Sequence, residues 1–422
     1  MGTGSGYYSC EQRPGDAVPM LKAVRSSIPL AIVAVAVVAR VLAAVVLFRF
    51  YEPSQYCHQG LEIVSTALSL NAHQGFSSPF FTPSGPTAFV TPGYPLVLAG
   101  FFRLLGTGAA AAISLVGFQI VLSVLSVWMA MRIASFHFGE RTSYVAGAIC
   151  AVGLPMVMAP MRLWDTSLSA LMLLGMIAVA PRLAVAAERR VWWAAGAGCG
   201  VAGLVNPALL PTAFLIWAWA AWPSKRVPWA GMLGFALVFG CWPVRNAVVM
   251  HAPILLRSNF GYELWMGNHA GGDGDFVEAL DPMANLGERA KFVREGELAY
   301  MREKGDLAKS YIGAHPGEFA RLTERRVGRF WMGTANGGPA FNAPLVLLAL
   351  PGLALLWSRR RELALFAIPL LVYPLPYYIT HPDARFQYVI DPVVAVLAAV
   401  ALDAALMRLV SAGRKAGVAS LR

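Results

Sequence analysis

Ten apolar stretches, at 28–50, 109–131, 143–161, 166–187, 191–205, 208–222, 228–248, 341–357, 363–380 and 386–407, follow one another with breaks that are mostly short and basic. Inside hydrocarbon every backbone amide and carbonyl must bond within the protein, and a helix rising about 1.5 Å per residue needs about 20 apolar residues to cross. The pattern therefore predicts an all-α polytopic membrane protein, a bundle of about ten transmembrane helices. Hydrophobic residues make up 57% of the chain and charged ones 14%, a balance that excludes an ordinary soluble domain. The stretches 191–205 and 208–222 are short for a crossing and are expected as half-helices sheltered inside the bundle.

An eleventh segment, 92–106, decides the topology. If it crosses, Arg189, Arg190, Lys225, Arg226 and the run Arg359, Arg360, Arg361 all move outside; if it lies along the bilayer they all stay in the cytoplasm. The bias of Lys and Arg toward the cytoplasmic side selects the second arrangement. The expected organisation is a cytoplasmic tail over 1–27, a transmembrane core over 28–248 with a first external loop at 51–108, an external segment at 249–340, C-terminal transmembrane helices over 341–407 and a cytoplasmic tail over 408–422. This arrangement leaves the two large loops outside. The net charge of +11 falls in the breaks between spans, so it reports topology, and no nucleic-acid partner is expected. Five cysteines without a CxxC pair support neither a disulfide framework nor a zinc site. No small-residue cleavage site follows the first span, which reads as uncleaved, and "MLKAVR" from Met20 reads as a start, with 1–19 a tail or a misplaced start.

Most carboxylates face outward on this layout. Glu52 and Glu62 follow the first span and Asp165 opens the fourth; a carboxylate there can take a proton from a hydroxyl or hold a divalent cation. In "GLEIVSTALSL", Leu61, Val64, Ala67 and Leu68 share a helical face, which puts Glu62 at the start of an amphipathic interfacial helix. Asp165 in "MRLWDTSLSALM" also suits the N-terminus of a helix as a dipole charge. Arg162 stands where an anionic headgroup would lie, and Arg40, inside the first span, is a functional candidate by its position in hydrocarbon. "HPGEFARLTERRVGRFW" has the pattern of an interfacial basic helix, which suits either phosphate binding or anchoring to anionic membrane lipids. The "DGD" at Asp273 to Asp275 lacks the rest of a calcium loop.

The layout resembles the GT-C glycosyltransferases, which include protein O-mannosyltransferases, lipid A aminoarabinose transferases and the catalytic subunit of oligosaccharyltransferase. The carboxylate-bearing helix followed by "GFSSPF" and "GPTAFVTPGYPLVLAGFFRLLG" is similar to the first external loop of bacterial mannosyltransferase-like members. "MRLWDTSLSALM" resembles the second acidic motif of the superfamily, and "CWPVRNAVVM", "LLRSNFGYELWMGN", "HPGEFARLTERRVGRFW" and "DARFQYVIDP" match further patterns, so that nearly the whole chain is covered. The resemblance implies a GT-C-type bundle with juxtamembrane helices in the first external loop. It also implies inverting transfer of a sugar from a polyprenyl-phosphate donor to a lipid, glycan or protein acceptor. Glu62, Asp165 and Glu52 are then the catalytic candidates, Arg162, Arg245, Arg385 and Arg40 the substrate-binding ones, and Glu62 with Asp165 the pair for a divalent metal. One departure stands out: members commonly carry Asp, often Asp-Glu, about eight residues before the alanine matched by Ala67, where this chain has Gln59 and Gly60, leaving Glu62 as the nearest carboxylate. The alternative from another class, a transporter or flippase of a lipid-linked substrate, calls for ionisable groups at mid-membrane and two related halves; apart from Arg40 the spans offer few such groups, and no internal repeat is evident.

Overall fold

A computed structural model of the chain describes residues 17–48, 60–186, 188–224, 228–333 and 342–419. Helix α1 (Ala17–Phe48) leads into an insertion holding α2 (Leu61–Asn71) and α3 (Gly93–Leu105). Then come α4 (Ala109–Phe138), α5 (Glu140–Val152), α6 (Leu154–Met158), α7 (Thr166–Val185), α8 (Arg189–Val205), α9 (Leu209–Ala221), α10 (Trp229–Phe239) and α11 (Cys241–Val249). A second insertion carries α12 (Phe260–Gly267), α13 (Leu286–Glu295), α14 (Glu297–Ala314) and α15 (Pro316–Met332). The chain closes with α16 (Ala343–Leu355), α17 (Arg360–Val372), α18 (Leu375–Ile379), α19 (Ala384–Tyr388) and α20 (Asp391–Ala419).

Among the described residues six helices, Ser27–Leu47, Ala109–Phe138, Thr166–Val185, Trp229–Val249, Arg360–Ile379 and Asp391–Ala412, are long and apolar enough to cross a membrane. Glu140–Val152 with Leu154–Met161 makes a seventh, bent by 56°. The three other expected spans are the shorter α8, α9 and α16. They are held by close backbone packing: a methyl group on Gly196 of α8 would overlap the Gly231 carbonyl of α10, and one on Gly352 of α16 would overlap the Leu397 carbonyl of α20. Small residues that let backbones approach are the usual means of joining helices where lipid supplies no hydrophobic drive.

The bend between α5 and α6 leaves carbonyls without helical partners, and Arg40 takes them. Its fully buried guanidinium donates to the carbonyls of Cys150 (3.1 Å), Ala151 (3.0 Å) and Met156 (3.2 Å), to that of Ala36 (3.1 Å) and to Ser123 Oγ (2.8 Å). An unpaired carbonyl in hydrocarbon is costly, so this cation is an internal clamp on a broken helix. Arg40 thereby ties α1 to α4 and to the bent pair α5 and α6.

Two cores result. One fills the bundle, with Ala130, Ile177, Ile216 and the run Val393 to Ala399 of α20. The other joins both insertions to one end of the bundle, packing Val64, Phe80, Phe89, Leu98, Phe102, Tyr262, Phe292 and Tyr300 with Ala44 of α1 and Leu115 of α4. At the opposite end Arg141 pairs with Asp403 (3.2 Å) and Arg359 donates to the His137 carbonyl (2.9 Å). Arg361 lies over the Trp219 ring there.

Candidate functional site at the insertion end

The site starts from a close approach. A side chain on Gly60 would overlap the Leu163 carbonyl, so α2 begins directly against the 161–165 segment, and Leu61 turns the chain with φ 43° into the first turn, which bears Glu62. Ser65 Oγ donates to the Ser78 carbonyl (2.6 Å) and accepts from the Phe81 amide (2.7 Å), fastening the following loop over the helix. In consequence α2 is buried from Glu62 through Ala67, not only on the face of Val64 and Ala67. The interfacial amphipathic helix expected from sequence is thus a protein-covered one, because both insertions pack on it. The second helix of the loop, α3, buries Tyr94, Leu98 and Phe102 while Leu96 and Leu104 stay exposed, as a helix lying along a bilayer does.

A second close approach brings the other wall. A side chain on Gly267 would overlap the Thr380 carbonyl, which sets the end of α12 against the strand of chain after α18. Arg326, fully buried, locks this junction by donating to Asn268 Oδ1 (2.8 Å) and to the carbonyls of Gly267, Gly274 (3.2 Å), Tyr378 (3.2 Å) and Ile379 (3.3 Å). With the segments fixed, His381 Nε2 meets Glu263 Oε2 at 2.8 Å, Asn259 donates to Glu263 Oε1 (2.6 Å), and Arg257 lies 3.7 Å from the same oxygen.

The result is a set of four interacting carboxylates: the charge of Arg385 reaches Glu62, Asp165 and Glu263, that of Arg257 reaches Asp165 and Glu263, and Asp281 interacts with Glu62 and Glu263. Burial pushes the Glu62 carboxyl up to about 7, reinforced by the Asp281 charge and opposed by its own amide and Arg385. Burial raises Asp165 as well, against a hydrogen bond from Ser169 Oγ (2.8 Å) and the charges of Arg385 and Arg257. Asp281 is raised by burial although the Met283 amide bonds it. Burial acts on Glu263 in the same direction, yet the His381 bond and the charges of His381, Arg257 and Arg385 hold it below the usual carboxylate range. The site therefore contains one carboxylate held ionised and one poised to exchange a proton near neutrality. Arg385 lies with its guanidinium 3.7 Å from the Trp164 ring centroid, and its buried Nε makes no hydrogen bond, with Asp383 3.8 Å away. A cation held flat on an aromatic face with donor capacity in reserve is suited to an incoming anion.

The other expected residues are dispersed. Arg245 donates to the carbonyls of Thr87 (2.8 Å) and Phe76 (2.9 Å) and to Asn246 Oδ1 (2.9 Å), tying α11 to the first insertion. That fastening stands beside the substrate role expected of Arg245. Arg162 is exposed, and its charge reaches Tyr388. Glu52 lies outside the described residues. Asp273 and Asp275 pair with Arg329 (3.1 and 2.6 Å), which accounts for the "DGD". Among the described residues no three His, Cys, Asp or Glu side chains converge as metal ligands, and the charge of Arg385 reaches both Glu62 and Asp165.

Sequence reasoning did not assign a site role to Glu263, His381, Asp281 or Arg257. Arg257 and Glu263 stand in "LLRSNFGYELWMGN" and His381 just before "DARFQYVIDP", so a signal existed in those stretches. What the spacing could not give is the pairing of Glu263 with His381 across 118 residues.

No family model and no curated protein matches the chain by sequence. Among solved structures, the archaeal oligosaccharyltransferase AglB from Archaeoglobus fulgidus, in complex with an inhibitory peptide and a dolichol-phosphate, is similar with a TM-score of 0.50 at 15% identity, over 94% of this chain and 52% of that one. ArnT from Cupriavidus metallidurans in the apo state is similar with a TM-score of 0.34 at 15% identity, over 86% and 77% of the two chains. This chain spans about half the length of AglB. At such identity the likeness is one of fold alone, an all-α polytopic membrane bundle of the kind AglB has.

Proposed function

We propose that the chain is an inverting membrane glycosyltransferase that moves a sugar from a polyprenyl-phosphate donor to an envelope acceptor, a lipid, glycan or protein, on the outer face of a bacterial inner membrane. The observation that carries this reading is the buried Glu62 carboxyl, raised to about 7 and within reach of the charge of Arg385, whose guanidinium lies over the Trp164 ring. Glu62 takes the proton of the acceptor hydroxyl as that oxygen attacks the anomeric carbon. The bond from that carbon to the phosphate oxygen breaks on the opposite face, and its electron pair stays with the phosphate. A phosphate leaves as an anion without needing an acid, so the group opposite the base has only to meet negative charge, which Arg385 and then Arg257 supply. Asp165, bonded to Ser169, and Glu263, bonded to His381, orient this pair of arginines.

Mass spectrometry of envelope glycans from cells with and without the protein tests the reading, followed by incubation of purified protein with polyprenyl-phosphate sugars. A glycan mass should disappear in the deletion strain, and free polyprenyl phosphate should be released in vitro. Unchanged glycans together with no release of polyprenyl phosphate would refute it.

A further inference from the structure

A groove of about 490 Å³ lies beside the acidic site, formed by the chain that leaves α11 and by one side of α14. Its lining is apolar, with Ile254, Leu255, Leu298 and Met301, except for Ser258 and two cations, Arg257 and Arg302; among the described residues no carboxylate lines it. This is unusual at an end of the molecule rich in carboxylates. Leu255 is 66% exposed within it and, with Ile254, Leu298 and Met301, makes the apolar side of the groove. The groove also continues in two directions. Toward the membrane, α11 presents Val244, Val248 and Val249 as exposed apolar residues at the end of the Trp229–Val249 span. Toward the interior, Arg257 reaches Glu263 at 3.7 Å and its charge acts on Asp165.

The geometry points to an acceptor subsite for a membrane-borne anionic amphiphile, an inference that rests on the transferase reading. Its acyl chains lie along the valines of α11, its apolar neck covers Leu255 and Met301, and its phosphate or carboxylate meets Arg302. The hydroxyl-bearing end then passes Arg257 toward Glu62. Cations on an apolar wall discriminate by charge and chain together, so a zwitterionic lipid of the same chains binds less well and a free anion without chains does not compete.

The test places a bimane label on Leu255→Cys in an otherwise cysteine-free full-length chain and quenches it with brominated-chain phosphatidylglycerol or phosphatidylcholine. Half-quenching by the anionic lipid should need about fivefold less lipid than by the zwitterionic one, and Arg302→Gln should remove most of that difference. Inorganic phosphate at millimolar concentration should leave the quenching intact. Equal quenching by the two lipids, a preference that survives Arg302→Gln, or displacement by inorganic phosphate would each overturn the proposal. Glu62→Gln separates this inference from the transferase reading: with turnover gone, the lipid preference should persist, whereas a preference in a protein that transfers nothing at all would keep the groove as a lipid site and discard its role as an acceptor site.

Discussion

Glu62 lies where burial and the Asp281 charge act together, and its pKa of about 7 makes two effects run in opposite senses with pH. As base it works only when ionised, so turnover should climb as pH rises through about 7 and then level. Glu62→Gln should cost roughly 10² or more in turnover and leave donor binding little changed. Stability goes the other way. The native carboxyl holds its proton between its ordinary value of 4.5 and about 7, so the folded state loses stability across that window as pH rises. Hence Glu62→Gln should melt no lower than wild type at pH about 8, a readout that separates lost chemistry from lost fold. The arginines divide in the same manner. Arg385→Lys should weaken donor use in part and Arg385→Ala severely, with the Lys variant melting close to wild type because it keeps the charge that Glu62, Asp165 and Glu263 feel. Arg245→Ala should instead lower melting sharply, since it frees the carbonyls of Thr87 and Phe76; an unaltered melting temperature would leave Arg245 its substrate role alone.

At the scale of elements, hydropathy made the long spans legible, and even the two short stretches read as half-helices correspond to α8 and α9. What hydropathy could not decide is what covers an apolar face. The face of Val64 and Ala67 suits lipid and protein equally, and only the folding of both insertions onto α2 shows that protein covers it. The junctions were hidden for a related reason: Gly60 and Gly267 read as ordinary loop and helix-end glycines until the partner backbones at Leu163 and Thr380 are known. Arg40 shows the reverse case, since an intramembrane cation is conspicuous in sequence while the helix break it serves is not. These junctions carry a prediction. Gly60→Ala must push α2 off the 163 carbonyl and should cost about 1–3 kcal/mol of stability, with activity falling further than stability alone explains because Glu62 moves with the helix. Gly100→Ala, on α3 with open space around it, should be neutral in both measurements, and equal effects at the two glycines would remove the positioning role from Gly60.

For the whole molecule the remaining question is which end faces out. The two insertions gather at one end, while Arg141, Arg359, Arg360 and Arg361 lie at the other, where Arg141 meets Asp403 of α20 and Arg359 meets the end of α4. Lys and Arg next to spans are retained on the cytoplasmic side, so the insertion end, with Glu62 and Arg385, should face outward. The 106–108 turn tests this, because it links α3 to the first residue of α4 at the insertion end and is exposed. In a cysteine-free chain, single cysteines at Gly106 or Gly108 should react with an impermeant thiol reagent in intact cells, and a cysteine at Arg360 only after permeabilisation. The opposite pattern would turn the molecule over, place the acidic site in the cytoplasm and sink a reaction that draws its acceptor from the envelope. Labelling of both positions from the same side would instead mean that α4 and the spans after it do not alternate, which the packing of α17 beside the end of α4 does not allow.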